Sequence, residues 1–74
     1  VKKREELADS KSCLNKAYDD EMLFILLGRD IAAPAAIMAW IEERIRLGKN
    51  KRSDPQIIEA RKCARDMAAL RRVV

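Results

Sequence analysis

Apolar residues fall into four clusters along the chain, three with a helical period and one with almost no polar face. The first runs from about Lys3 to Tyr18, where Leu7, Leu14 and the Ala17/Tyr18 pair lie on a thin helical stripe behind the charged start Lys2-Lys3-Arg4-Glu5-Glu6. The second, Glu21 to Leu27, is apolar nearly all round. Asp19-Asp20-Glu21 offer cap oxygens and negative charge at its start, and Gly28 is placed to end it in a left-handed conformation. Six apolar residues also suit a buried strand, but the flanking acids and the lack of another strand candidate favour a short helix.

The third segment begins at Ala33-Pro34, where a proline fits the first helical turn because its missing N–H has no partner there. Ile37, Trp40, Ile41, Arg44 and Ile45 trace one face, Glu42, Glu43 and Arg46 lie towards solvent, and Gly48 closes the helix. A polar loop, Lys49-Asn50-Lys51-Arg52, leads into Ser53-Asp54-Pro55-Gln56. This is a helix start in which either Ser53 and Gln56 form a capping box or Asp54 caps with Pro55 just inside. Ile57, Ala60, Ala64, Met67, Ala68 and Leu70 then carry the pattern for about four turns, with Arg61, Lys62, Arg65, Arg71 and Arg72 on the remaining faces. The pattern predicts an all-α fold, a compact bundle of three to four helices in one domain over 1–74. Residues 1–18 form its N-terminal helix and 19–74 its main part.

Size changes the picture. A chain of 74 residues buries only about 60% of the surface its unfolded form exposes, so completion by homo-oligomerisation is expected. Composition narrows the chemistry further. With no His, a His-based acid–base pair, a Ser-His or Cys-His nucleophile couple and a His/Cys zinc site are excluded within one chain. No enzyme activity and no cofactor are expected. The acids Asp19, Asp20, Glu21 and Asp30 point in different directions from a helix start, so capping explains them better than a divalent ion. Cys13 and Cys63 allow at most one bridge and fit small buried residues in a reducing, cytosolic setting. The apolar runs are too short and too interrupted to cross a membrane.

Charge is uneven. Residues 1–40 hold six basic and seven acidic side chains, whereas residues 41–74 hold ten basic and five acidic ones. An anionic partner should therefore meet the second half. The sharpest candidate is Gly48-Lys49-Asn50-Lys51-Arg52-Ser53 entering the last helix, where free N–H groups and basic side chains suit a phosphate. It is not a P-loop, since the required upstream glycine is missing. A solvated basic loop with an internally satisfied cap is the alternative. Trp40, a core or interface anchor, is also placed to stack a base with Arg44 one turn away. Gln56, Arg61 and Arg65 extend the same candidate surface. Of the other aromatics, Phe24 is expected in the core.

The spacing Asp20-Glu21-x-x-Phe24-x-Leu26-x-x-x-Asp30-x-x-Ala33-Pro34-x-x-Ile37-x-x-Trp40 resembles a family of small phage and prophage proteins. Arg44-Ile45-x-Leu47-Gly48-Lys49-Asn50 and then Asp54-x-Gln56-Ile57-x-Glu59-Ala60 look like its continuation. The resemblance covers about residues 19–68 and implies an accessory phage protein in the host cytoplasm, with no catalytic residue to transfer. By analogy with small phage oligomers that sequester nucleotide immune signals, the expected function is binding of an anionic, nucleotide-type ligand in an oligomer. The alternatives are nucleic-acid binding by a helix-turn-helix-like unit bearing Arg61, Lys62 and Arg65, and protein–protein inhibition of a host factor.

Overall fold

The computed structural model describes residues 2–70, and these are all-helical, with four helices and no strand. Helix α1 spans Lys3–Ala8, α2 Cys13–Lys16, α3 Ala33–Arg46 and α4 Pro55–Leu70. The expected placements of Arg71 and Arg72 lie outside the described residues.

Helices α3 and α4 form an antiparallel hairpin that holds the core. Ile41 and Ile57 are fully buried, flanked by Ala33 and Ala64 at 0% and 4% exposure. Ile37, Ile45, Ala60 and Met67 are half-buried around them. Each fully buried isoleucine contributes about 1.5–3 kcal/mol, which makes this pair the main apolar anchor. The proline logic holds at both starts: Pro34 lies in the first turn of α3 and Pro55 opens α4. Asp30 sets the entry to α3, its carboxylate accepting from the Ala32 N–H at 2.8 Å and its carbonyl from Ala33 N–H at 3.1 Å.

The N-terminal helix predicted over 3–18 is instead two short helices joined by a turn. Asp9 and Ser12 compete for backbone groups that a helix would use. Asp9 Oδ1 accepts from Lys11 N at 2.9 Å, and Ser12 Oγ accepts from Asn15 N at 3.2 Å to cap α2 while donating to the Glu6 carbonyl at 2.7 Å. Asn15 Nδ2 then closes the end of α1 by donating to the carbonyls of Glu6, Leu7 and Asp9. Glu6 Oε1 accepts from Leu14 N at 3.1 Å. The pair is stapled by polar groups and buries no large side chain of its own.

The helix expected over Glu21 to Leu27 does not form. Those residues run without helix, turn or bend between two turns, one closed by Glu21 N–H to the Tyr18 carbonyl and the other by Asp30 N–H to the Leu27 carbonyl. Gly28 accordingly does not take the left-handed role assigned to it; among the described residues only Gly48 has positive φ, at 73°. Nor is Phe24 in the core, being 87% exposed, and the Cys13 thiol is exposed rather than buried. No described helix is long and apolar enough to cross a membrane.

Candidate functional site

The α3–α4 connection is a fixed turn. Leu47 caps α3, and Gly48 N–H donates to Ile45 O at 3.0 Å while Lys49 N–H reaches Arg44 O at 3.0 Å. This is the Schellman arrangement, which requires a left-handed residue at Gly48. Asp54 occupies the N-cap position of α4, its carbonyl taking the Ile57 and Ile58 N–H groups at 3.0 Å each. Of the two starts read from the sequence, the helix opens at the Asp54–Pro55 one, but the Asp54 carboxylate turns back to the Lys51 N–H and the Asn50 amide instead of capping α4.

Asn50 joins the two helices. Its Oδ1 accepts from Arg44 Nε at 2.6 Å, and its Nδ2 donates to Asp54 Oδ2 at 3.1 Å and Gln56 Oε1 at 3.2 Å. Lys51 N–H donates to the same Asp54 oxygen at 2.9 Å. These contacts hold the Asp54 carboxyl below its ordinary range, first through the Lys51 N–H, then through the Asn50 amide, with the Lys51 charge adding to them. An ionised carboxylate therefore sits beside the helix start, and a phosphate entering there meets it.

The structure thus brings Trp40, Arg44, Asn50 and Gln56 into one group, with the Arg44 guanidinium 5.6 Å from the Trp40 ring centroid. Trp40 lies at the edge of the hairpin, 41% exposed, rather than in its core. Lys49, Lys51, Arg52 and Ser53 are exposed around the turn. Arg52 pairs with Glu42 at 3.4 Å, a contact of small worth between exposed groups. Arg61 and Arg65 lie on α4 about 9 and 15 Å beyond Pro55 along the helix axis. Arg61 is half-buried, Arg65 exposed, and Lys62 pairs with Asp66 at 3.1 Å. Glu43 and Arg46 form an exposed ion pair that lowers the Glu43 carboxyl and raises the guanidinium. No three described His, Cys, Asp or Glu side chains come together as a metal site.

A second feature was not singled out from the sequence. Leu23 to Gly28 run along one wall of an open apolar groove of about 1110 Å³, whose other walls come from α1, α2 and the C-terminal half of α4. Leu7, Leu14, Cys63, Met67 and Leu70 line it. Gly28 lies against α4, where an added Cβ would stand 3.7 Å from Met67 Cγ and 3.8 Å from Leu70 Cδ1. The signal was present as a segment with no polar face. No protein family, curated protein or solved structure matches this chain.

Proposed function

We propose that this protein acts by association, presenting the apolar groove between α4 and the Leu23–Gly28 segment, together with the exposed Met22 beside it, to a polypeptide partner. The observation that carries this reading is the exposure of that segment: Met22 is 95%, Phe24 87% and Ile25 68% exposed, contiguous with the half-exposed Leu23 and Leu27. Contiguous apolar surface on this scale marks an interaction site. Binding of the neutral dye Nile red tests it. Dye fluorescence should rise with the native chain and fall in a Leu23→Ser/Phe24→Ser double variant. A monomeric chain that leaves the dye dark would overturn it.

A second reading concerns the basic turn. Lys49 and Lys51 are exposed and make no ion pair among the described residues, and the turn that carries them is fixed by backbone bonds. That supports weak, charge-driven binding of an anionic, nucleotide-type ligand, the accessory phage role implied by the resemblance. A thermal-shift comparison of cyclic and linear nucleotides with duplex DNA separates this from nucleic-acid binding, which would weaken steeply with salt. No shift with any of these ligands would remove the second reading and leave the first untouched.

A further inference from the structure

Met22, Leu23, Phe24, Ile25 and Leu26 make no backbone hydrogen bond with any described residue. None is proline, so ten strong backbone groups stand unpaired in a row between two turns. In an extended segment such groups alternate between two edges, so one neighbouring strand takes those of every other residue. We propose that a second copy of this chain supplies that neighbour, two Met22–Leu26 segments pairing antiparallel across a two-fold axis. The proposal rests on the groove as an association surface and names its occupant.

Surface area favours a second copy. The chain exposes 6488 Å², against about 4,700 Å² for a compact protein of this mass. Allowing the five undescribed residues their full unfolded area, about 900 Å², still leaves an excess of about 900 Å² per chain. A stable interface takes about 800 Å² from each partner. The radius of gyration agrees, at 13.3 Å against about 11 Å for a compact chain of this length.

Charge favours the antiparallel direction. The segment is preceded by Asp19, Asp20 and Glu21 and followed by Arg29. A parallel pair would set the three acids beside their own copies, and like charges side by side are destabilising. The antiparallel pair separates them and sets them beside the end that carries Arg29 and Asp30, which has no net charge.

Symmetry then fixes the register. In an antiparallel ladder, hydrogen-bonded and non-hydrogen-bonded pairs alternate, so a two-fold axis must pass through a residue that opposes itself. Centring the five unpaired residues places Phe24 opposite Phe24 of the second copy, Leu23 opposite Ile25 and Met22 opposite Leu26. An aromatic pair at the centre is among the favourable cross-strand contacts.

Three measurements on the full chain test this. Sedimentation from about 1 to about 100 µM should show a monomer–dimer equilibrium, and hydrogen exchange of the native dimer should show slowed amides within Met22–Leu26. In a Cys13→Ser/Cys63→Ala background shown to keep its helical spectrum, Phe24→Cys should form a disulfide-linked dimer about tenfold faster than a Glu59→Cys control. Met22→Cys and Leu26→Cys chains should cross-link on mixing with one another but not alone. A dimer whose Met22–Leu26 amides exchange freely, or whose Phe24→Cys variant links no faster than the control, would overturn the proposal by locating the interface elsewhere. So would a chain that stays monomeric throughout. If that monomer still binds Nile red, the groove remains an association surface with a different occupant. If it binds none, both readings fall.

Discussion

Arg44 and Asn50 tie the end of one helix to the beginning of the next, through a 2.6 Å hydrogen bond from the guanidinium Nε to the Asn50 side-chain carbonyl. The other half of the Asn50 amide holds Asp54 and Gln56, so one side chain spans the turn. A hydrogen bond to a charged group is worth about 1.5–3 kcal/mol when shielded, and less in this partly open setting. Asn50→Ala should therefore destabilise the hairpin by about 1–2 kcal/mol, or roughly 4–16 °C in Tm for a domain of this size. Asn50→Asp should be worse, because it sets a second carboxylate against Asp54. Thermal melts followed by circular dichroism decide it; an unchanged Tm for both variants would show the link to be idle.

Asp54 makes the turn sensitive to acid. Its carboxyl is held below its ordinary range by the Lys51 N–H and the Asn50 amide, so folding favours the charged form. That contribution is fully present above the unfolded-state value near 3.9 and is lost as pH falls through the lower folded value. Asp54→Asn should have a lower Tm than the native chain at neutral pH, and the gap should narrow as pH falls below about 4. Paired melts across that range are the measurement. A gap that stays constant to the acid end would mean that the charge on Asp54 contributes nothing.

The hairpin was legible in the sequence because its signals are local and agree with one another. Pro34, Gly48, Asp54 and Pro55 mark the ends, and Ile41 and Ile57 recur at helical spacing on the faces that meet. Residues 3–27 were less legible, for two different reasons. Asp9 and Ser12 interrupt a weak apolar stripe with side chains that bind the backbone, a competition that periodicity does not register. Met22 to Leu27 are apolar all round, so periodicity says nothing, and their conformation depends on what covers them. The candidate turn was found by charge, yet its organising residues, Asn50 and Asp54, act through hydrogen bonds whose partners only the fold brings close. The groove was missed because it needs three separated segments to exist.

The two glycines should respond oppositely to the same substitution. Gly48 has φ of 73°, and an added Cβ would meet nothing within 4 Å, so Gly48→Ala gains no contact and costs about 1–2 kcal/mol in backbone strain. Gly28 lacks positive φ, and its Cβ would sit at ordinary contact distance from Met67 and Leu70. Gly28→Ala should be neutral or stabilising by up to about 1 kcal/mol, since it also restricts the unfolded chain. Chemical denaturation of the two variants side by side checks both signs, and a Gly28→Ala variant as unstable as Gly48→Ala would show that the segment does not lie on α4 as described.

Neighbouring isoleucines on α4 give the most direct check on how the hairpin is rotated. Ile57 is fully buried against α3, whereas Ile58, one residue on, is 55% exposed. Truncating a buried isoleucine costs about 2–5 kcal/mol, because the transfer free energy is lost and a cavity remains. A chain this small has only a few kcal/mol of net stability, so Ile57→Ala should be largely unfolded at room temperature. Ile58→Ala removes mostly solvated surface and improves helix propensity, so its effect should stay within about 0.5 kcal/mol. Urea titrations monitored through Trp40 emission and helical signal together resolve the difference. Comparable losses in the two variants would place both side chains under cover, and the α3–α4 contact face would then have to be redrawn.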